Sequence, residues 1–568
     1  MLFRSTYTYT DGSVVDSDGN DITTSIMVSA GTLSGTTSSL TGNIVNNAAV
    51  EFSQSTAGEY SKAISGTGSV SIVSDGSVEF SGVNTYSGRT VIGNSATLVL
   101  SGGNALSDSG AVTVTSPRTL ILKDNETIGS LDGVGSVNLS DYTLTTGGNN
   151  SSTDFSGIIY GAGGITKVGS GTFTLRGANT YTGTTTVSAG VLSISADENL
   201  GSGNLALNGG TLSSVNATFT LDNNITLETD GGSMSASGSS NTMTLSGIIS
   251  GNGTLTTSGD ATIVLSGNNT FSGNATISSG ILVAGHTQAL GSTAGHTTVN
   301  SGSSLKISDD ISIAENLELR GSGQSDAGAL MGGSNSALSG TVTFLEDTGI
   351  GVASGDLTIS GVMTGRYTLN KFGSGNLILT GDNTLDYEIK ATKGALTLGS
   401  AGALGSAYFI EIGDGATLGV ATDITIGIEI ELRGDSSISV ASGATATFSH
   451  RMVGSGNLTK VAEGTLILSG EASYTGTSTV SAGTLSISSA ANIGTGAITL
   501  NSNTTLQTVL SSSQQLSNTL TLNDNATIQT DASNNSRLTL SGTVSGDGNT
   551  LTKSGSGILV LSGTNSGT

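Results

Sequence analysis

Short runs that alternate apolar and polar residues recur along the chain, and they predict β-strands. Clear examples are Phe173-Thr174-Leu175, Leu192-Ser193-Ile194 and Leu485-Ser486-Ile487. Gly, Ser, Asn and Asp separate the runs, and a period of two between turn residues is typical of strands. We find no convincing stretch with apolar residues at i, i+3, i+4 and i+7, so the sequence predicts an all-β chain.

A longer repeat is superimposed on the strands, because a block close to GSGTxTLSGxNTYTG occurs six times. Its shared glycine falls at Gly82, Gly177, Gly267, Gly381, Gly470 and Gly563, which gives steps of 95, 90, 114, 89 and 93 residues. A fixed long period is typical of stacked supersecondary units rather than of separate globular domains.

A second anchor keeps the same register, so the whole unit repeats and not one motif alone. Its apolar residue falls at Leu106, Leu200, Leu290, Leu404 and Ile493. The long step exceeds its neighbours by 24 or 25 residues (114 − 90 and 114 − 89). Since one coil of a β-solenoid takes on the order of 20–25 residues, we expect about four coils in a usual unit and one more in the long unit.

The alternation assigns side chains to the two faces of the strands. We expect the leucines and isoleucines of corresponding strands to point inward and the residue between them to point outward, namely Val99, Ser193, Thr397 and Ser486. The shared glycine ends a strand and is expected to take φ > 0.

Two further positions of the block are polar or aromatic. The asparagines Asn84, Asn179, Asn269 and Asn383 are expected in turns, where an amide bonds nearby backbone. The aromatic residues Tyr86, Tyr181, Phe271 and Tyr474 lie about four coils apart, so they cannot touch one another. We expect them to pack in the core or in turns, and a sugar-stacking strip is the alternative.

The block divides the chain into two predicted regions. Residues 1–60 lack the repeat and are predicted to be an irregular N-terminal segment that caps the repeats or forms their first coils. Residues 61–568 are predicted to form one continuous β-helix with six blocks, the last of them truncated.

Composition supports a thin core and excludes several functions. Gly is 86 of 568 residues, Pro is 1, and hydrophobic residues are 35%. The net charge of −24, with only 18 scattered Lys and Arg, argues against nucleic acid and against an anionic membrane surface. There is no apolar run of about 18 residues. Cys is 0, which excludes disulfides and thiolate metal sites.

Few residues are candidates for chemistry, and the sequence predicts no catalytic, cofactor or metal site. His286, His296 and His450 are expected as surface turn residues rather than metal ligands. Asp309 and Asp310 could suggest a glycoside hydrolase, but as neighbours in a strand-like stretch they are expected to point to opposite faces. Residues 16–21 resemble a Ca²⁺ loop without its Gly at the sixth and Glu at the twelfth position, and the sequence leaves Ca²⁺ binding there open.

The tripeptide Arg433-Gly434-Asp435 spells a known integrin-binding motif. Arg176-Gly177 and Arg320-Gly321 end comparable runs without a following Asp. We therefore expect a strand-end turn rather than a receptor ligand.

The block GSGTxTLxGxNTYTGxTTVxxGxLxI resembles the autotransporter-associated β-strand repeat and is cleanest in residues 169–194 and 464–487. The resemblance implies a right-handed parallel β-helix, a passenger exported through an outer-membrane β-barrel translocator, and a location outside the cell at the outer-membrane surface. It also implies that the repeat aids export and folding. No signal peptide or barrel is visible and the sixth block stops early, so we expect a fragment.

Three functions compete at this point. The leading hypothesis is a non-catalytic passenger or stalk that aids export and display, with adhesion to a host or neighbouring-cell surface as an additional role. The second is a β-helix enzyme that acts on polysaccharide. The third is self-association between cells through the polar Ser, Thr and Asn face. No cofactor is expected.

Overall fold

The computed structural model is an all-β parallel solenoid of about 27 turns with about 48% strand, as the sequence predicted. It describes residues 25–73, 75–93, 95–532 and 535–566, together with the backbone of the strands Leu2–Phe3 and Tyr7–Thr8. Residues 16–21, the possible Ca²⁺ loop, lie outside the described residues. The handedness of the coil stays a prediction.

The chain divides into two compact units. The N-terminal unit holds residues 1–276 and 288–295, and the C-terminal unit holds residues 277–287 and 296–568. Within each unit a coil gives up to three short strands, and each strand pairs in parallel with its counterparts one coil before and one coil after. The side chains between the ladders form the core.

The strands of the N-terminal unit fall into three groups by ladder. One group is Leu2–Phe3, Ile26–Val28, Ile44–Asn46, Ile64–Ser65, Glu126–Ile128, Leu144–Thr146, Ile165–Lys167, Thr185–Val187, Leu205–Leu207, Ile225–Leu227 and Ile249–Gly251. Another is Gly58–Tyr60, Ser77–Phe80, Thr97–Leu100, Thr119–Leu122, Ser136–Asn138, Ile158–Tyr160, Phe219–Leu221, Thr242–Leu245 and Thr262–Leu265. The third is Tyr7–Thr8, Thr32–Gly35, Ala49–Phe52, Ser69–Val73, Thr90–Gly93, Ala111–Val114, Ser130–Gly133, Thr153–Phe155, Thr172–Leu175, Val191–Ile194, Thr211–Val215, Gly232–Ser237 and Leu255–Gly259.

The C-terminal unit repeats this arrangement, and the strand Ala275–Ile277 spans the division along the chain. One ladder is Ser312–Ile313, Ser336–Leu338, Asp356–Ile359, Asn376–Leu379, Ala395–Leu398, Thr417–Val420, Asp435–Val440, Asn457–Val461, Ser478–Val480, Ile498–Leu500, Leu520–Leu522, Val544–Ser545 and Asn565–Ser566. Another group is Ile281–Ala284, Ser304–Ile307, Leu330–Gly332, Leu369–Phe372, Glu388–Ala391, Phe409–Ile412, Glu429–Leu432, Met452–Gly454, Gln514–Leu516, Arg537–Leu540 and Ile558–Leu561. The third is Thr297–Val299, Leu317–Gly321, Met363–Gly365, Thr384–Leu385, Ile424–Ile426, Thr445–Phe448, Thr465–Leu468, Thr484–Ile487, Thr505–Leu510, Ala526–Ala532 and Leu551–Ser554.

A few elements depart from this pattern. The long strand Val342–Val352 continues from one ladder onto the next, since it pairs with both Met363–Gly365 and Leu369–Phe372. The only helices among the described residues are the 3₁₀ turns Asp197–Asn199, Gln324–Asp326 and Ala490–Asn492. None of the helices in that part of the chain is long or apolar enough to span a bilayer.

The described residues before Tyr60 already form regular coils. Leu33 pairs with Val50 and Val50 pairs with Val70, in the same ladder as the later strands. The strands of residues 25–60 therefore belong to the same ladders as the strands that follow. The domain division at residue 60 stays a prediction.

The inward positions of the strands follow the sequence pattern, but some outward positions do not. Leu192 and Leu485 are buried, as predicted. Val99, Ser193 and Ser486, which we expected to be exposed, are also buried. The alternation predicts the direction in which a side chain points. It does not predict how far the side chains of neighbouring strands cover the outer face. Ser486, for example, lies in register between the larger Ile467 and Gln507.

The shared glycine has a different role from the predicted one. Neither Gly177 nor Gly381 has positive φ. Instead, a Cβ on Gly177 would collide with the carbonyl oxygen of Gly157 one coil earlier, and a Cβ on Gly381 would collide with that of Gly361. The position requires glycine because two coils approach closely there.

The repeat is not a whole number of coils. In the C-terminal unit, pairing carries one position through four coils at Leu396, Leu418, Ile438, Lys460 and Val480. The residue equivalent to Leu396 one repeat later is Leu485, 89 residues on, and it lies in the following strand, Thr484–Ile487. This repeat thus takes four coils and one further strand, which is about a third of a coil. The first repeat takes four coils and two further strands, since pairing from Val78 reaches Ile159 after four coils and the equivalent residue Phe173 lies two strands on.

The repeated block therefore moves to a new ladder with each copy. The equivalent strands Asn376–Leu379, Thr465–Leu468 and Ile558–Leu561 belong to three different sheets. The long repeat follows the same rule with one extra coil. Its pairing passes through five coils at Leu282, Leu305, Leu330, Ile350, Lys371 and Ala391, after which Leu396 begins the next ladder. The extra coil predicted from the 114-residue step is confirmed.

Candidate functional site

The aromatic residues of the block are core residues, as predicted. Tyr86, Tyr181, Phe271 and Tyr474 are almost fully buried. The hydroxyl of Tyr181 bonds that of Thr185, 2.6 Å away, and the hydroxyl of Tyr474 bonds that of Ser478 at 2.7 Å. Each buried phenol thus has a partner four residues on, and the alternative of a sugar-stacking strip at these positions is wrong.

The asparagines of the block connect three successive coils rather than closing a local turn. Asn179 Oδ1 accepts a bond from the backbone N–H of Ile159 at 2.8 Å, and its Nδ2 donates to the carbonyl of Asn199 at 2.6 Å. Both partners lie 20 residues away, one coil in each direction. We call these side chains the asparagine clamps: Asn84, Asn179, Asn269 and Asn383. The expected bond to nearby backbone is the minor one, found for Asn84 and Gly82 at 3.3 Å.

Sequence reasoning missed a second internal device, the buried lysines at one position of the block. Lys167, Lys371 and Lys460 are fully buried. The Nζ of Lys460 donates to the carbonyls of Val461, Ala462 and Ala482, at 3.0, 2.6 and 3.1 Å. Lys167 and Lys371 have equivalent sets of three carbonyls. We call these groups the lysine cages.

The lysine cages match three ammonium donors to three acceptors, two in the lysine's own coil and one in the next. Burial lowers the pKa of Lys371 and of Lys460 to about 8, although the surrounding carbonyls favour the charged form. The signal in the sequence was the lysine that recurs before the strand in four of the six blocks, at Lys167, Lys371, Lys460 and Lys553. This recurring lysine was overlooked because all 18 Lys and Arg residues were treated together as scattered surface charge.

In the described part of the chain, two buried carboxyls have pKa values well above the ordinary range. Glu126 accepts bonds from the backbone N–H groups of Leu106 at 2.7 Å and of Ala105 at 3.1 Å, one coil earlier. Burial raises its pKa to about 7 against the effect of these bonds, and burial also raises the pKa of Glu315 to about 7. Glu315 accepts a bond from Thr297. Each carboxyl thus bonds a neighbouring coil.

The residues considered for catalysis and metal binding do not converge. Asp309 accepts a bond from the N–H of Ser334, and Asp310, at φ 58°, accepts one from the Asn335 side chain. They lie at an exposed corner, so the predicted strand-like stretch is wrong there. Among the described residues no group of three or more His, Asp and Glu could hold a metal ion. His296 lies 3.9 Å from Glu318, and His450 is exposed.

The tripeptide at 433–435 is a strand-end turn, as predicted. Arg433 follows the strand Glu429–Leu432, and its Nη2 lies 2.9 Å from the Glu431 carboxylate. Asp435 begins the next strand and accepts a bond from Asn457 Nδ2 at 2.6 Å. Both charges are therefore engaged with the protein itself.

Comparison with known proteins adds to this picture. The passenger-associated transport repeat family matches residues 74–100, 165–194, 255–284, 369–404, 458–487 and 551–568. These six matches coincide with the six blocks. The chain is also 30% identical over 473 residues to the adhesin BmaC autotransporter of Brucella suis biovar 1 (strain 1330). That alignment covers 74% of this chain and 13% of the Brucella protein. No solved structure matches the chain significantly.

Proposed function

We propose a role for this chain from the premise that it is autotransporter passenger sequence built on passenger-associated transport repeats. It is a non-catalytic segment displayed outside the cell. Its repeats drive its own export and folding, and the segment takes part in adhesion. The observation that carries the proposal is the direction of the repeated polar groups. The asparagine clamps and the lysine cages all face inward and bind one coil to the next.

These contacts suit folding that proceeds coil by coil. Asn179 has one partner in each neighbouring coil, so whichever of the two coils forms first leaves the other bond open until the next coil is added. In a solenoid, stability grows by interactions between neighbouring repeats. Each coil that forms outside the membrane thus satisfies polar groups left open by the coil before it, which opposes backward movement of the chain. Since Cys is 0, no disulfide has to form during passage.

Adhesion is supported by the relative named above as an adhesin, of which this chain spans about 13%. The outer-membrane translocator and the recognised cell surface are accordingly partners that we propose for the whole protein. Polysaccharide cleavage, the alternative considered from the sequence, finds no specific support, because Asp309 and Asp310 each hold a neighbouring coil.

Export can be tested by placing the chain between a signal peptide and an outer-membrane barrel in a Gram-negative host. Surface protein is measured by antibody binding and by protease treatment of intact cells. The test variant carries Asn84→Ala, Asn179→Ala, Asn269→Ala and Asn383→Ala. The control replaces four exposed asparagines by alanine, namely Asn104, Asn204, Asn252 and Asn268. We expect the clamp variant to be lost from the surface and the control to be displayed like the original chain. Equal display of both variants would contradict the export role.

Adhesion is measured separately on the same cells. Cells that display the chain should attach to host-cell layers more than cells that display the barrel alone. Clumping without host cells would assign self-association instead, and no difference in either assay would refute adhesion while leaving the export role intact.

A further inference from the structure

Three tyrosines line one corner of the C-terminal unit on consecutive coils. Tyr367, Tyr387 and Tyr408 are 41%, 40% and 51% exposed, which is unusual for large aromatic residues in this chain. Each stands two residues before a core residue of one ladder, at Leu369, Ile389 and Ile410, which pair in register. We call this column the tyrosine corner.

Two of the three rings of the tyrosine corner are in contact. Those of Tyr387 and Tyr408 meet edge to face, with centroids 5.5 Å apart and planes at 90°. The Tyr408 hydroxyl lies 3.4 Å from Glu388 Oε1. Phe409, on the outer side of the adjoining strand, is half-buried and stands in register between Glu388 and Glu429. The aromatic surface thus continues from the corner onto the strand.

Charges surround the tyrosine corner in pairs. Arg366 pairs with Asp386 at 3.1 Å and Lys390 with Glu388 at 3.0 Å. On the far side of Phe409, Arg451 pairs with Glu429 at 2.6 Å. Next to these pairs, Glu411 stands in register with Lys390, and Arg433 lies 3.5 Å from Glu411 and 2.9 Å from Glu431. The local surface is therefore rich in fixed donors and acceptors, and its five acids against four bases leave no positive excess that would attract an anionic ligand.

From this arrangement we propose that the tyrosine corner binds a neutral, linear polysaccharide that lies along the column of coils. Aromatic faces carry partial negative charge and attract the C–H groups of a sugar ring. The paired Arg, Lys, Asp and Glu side chains offer hydrogen bonds to hydroxyl groups, and the small excess of acids disfavours an anionic ligand. Adjacent strands are about 4.8 Å apart, so the column presents aromatic rings at regular intervals, which suits a ligand that is itself a repeating polymer.

A protein or lipid occupant fits this surface less well. The exposed rings carry hydroxyl groups at their rims, and charged pairs enclose them on both sides, so the apolar area is narrow. A lipid surface would have to desolvate those charges. The inference rests on the adhesion part of the proposed function, for which it names the ligand class, but it concerns a site that can be examined apart from export.

The test uses the purified full chain, so the export assay and this assay fail independently. The probes are cellohexaose, xylohexaose, chitohexaose and maltohexaose, with polygalacturonate as an acidic polymer and phosphatidylcholine vesicles as a lipid surface. Since Trp is 0 and Tyr is 11, intrinsic fluorescence comes mainly from tyrosine, and a change on addition of a glycan that the double alanine variant lacks reports stacking at the corner. Calorimetry gives the affinity.

We expect at least one neutral oligosaccharide to bind and the double variant Tyr387→Ala/Tyr408→Ala to weaken that binding about tenfold or more. Tyr387→Phe/Tyr408→Phe should keep most of the affinity, and Tyr142→Ala in the N-terminal unit should leave it unchanged. All variants should unfold at the denaturant concentration of the original chain, because these rings lie at the surface. No binding to any neutral glycan, equal binding by the alanine variant, or preference for polygalacturonate or vesicles would each overturn the proposal.

Discussion

At the residue scale, the polar side chains inside the coils determine the structure as much as the apolar ones. Asparagine, glutamate and lysine each bond backbone groups of a neighbouring coil, where no strand is present to pair them. Buried backbone groups need partners, and a solenoid corner leaves several unpaired. The sequence identifies Asn179 and its equivalents as a recurring position of the block. Their hydrogen-bond partners lie one coil away, however, and no local pattern reveals them.

Asn179→Ala should destabilise the N-terminal unit by about 2–4 kcal/mol, because it leaves the buried Ile159 N–H and Asn199 carbonyl unpaired. Denaturant unfolding measures the loss, and hydrogen exchange at the Ile159 amide locates it. Asn204→Ala, at an exposed position, is the matched control and should change stability by less than about 0.5 kcal/mol. Similar effects of the two changes would refute the clamp.

Glu126 should make stability fall as pH rises from about 4.5 to about 7. Its pKa is about 7 in the folded chain, raised by burial, against an ordinary value of 4.5. Below pH 4.5 the carboxyl is protonated in both states and its stabilising contribution is complete; at higher pH the unfolded chain releases its proton first. Glu126→Gln should flatten this part of the profile of unfolding free energy against pH. An unchanged slope in the variant would show that other groups cause it.

At the element scale, alternation along a strand predicts which residue faces the core, and coverage by neighbouring strands decides whether the other face is exposed. Ile426 is 1% exposed, whereas Thr425 beside it is exposed. In Val191–Ile194 and Thr484–Ile487, by contrast, three consecutive residues are buried. A single strand cannot reveal this, because the covering side chains belong to coils about 20 residues away.

Ile426→Asp should cost several kcal/mol or unfold its coil, since it places an unpaired charge in a dry core. Thr425→Asp, one residue earlier in the same strand, should cost about 0.5 kcal/mol or less. Urea unfolding followed by circular dichroism compares them. Equal destabilisation would mean that the inward and outward assignment of the strand Ile424–Ile426 is wrong.

The lysine cages join a strand end to the next coil, and they should make stability rise between about pH 8 and about pH 10.5. In that range the folded chain, with the pKa of Lys371 and Lys460 lowered to about 8 by burial, has released protons that the unfolded chain still holds. Below pH 8 both states are charged and the added stability is lost. Lys371→Met/Lys460→Met should remove the slope, and Lys306→Met, at an exposed site, should keep it. A fall in stability over the same range would show that the carbonyls outweigh burial.

At the scale of the whole molecule, the tandem period carried most of the information. It predicted the all-β solenoid, the six copies and the extra coil of the long repeat, each found as described above. It did not predict the tyrosine corner, because those residues recur at steps of 20 and 21 (387 − 367 and 408 − 387), the length of one coil rather than of one repeat. A search at the coil period would have found them.

The one-third coil left over in each repeat of the C-terminal unit has a consequence for how such a gene can change. Recombination between neighbouring copies removes or adds about 90 residues in frame, and the coils on either side can rejoin because their sequences match. The rejoined chain nevertheless differs in orientation. Every coil after the junction is rotated by a third of a turn about the solenoid axis relative to the coils before it. Surface features such as the tyrosine corner would then face a new direction after one exchange and regain their original bearing only after three. Unequal crossing-over in this unit thus changes the direction in which surface residues face, while the sequence of those residues stays the same.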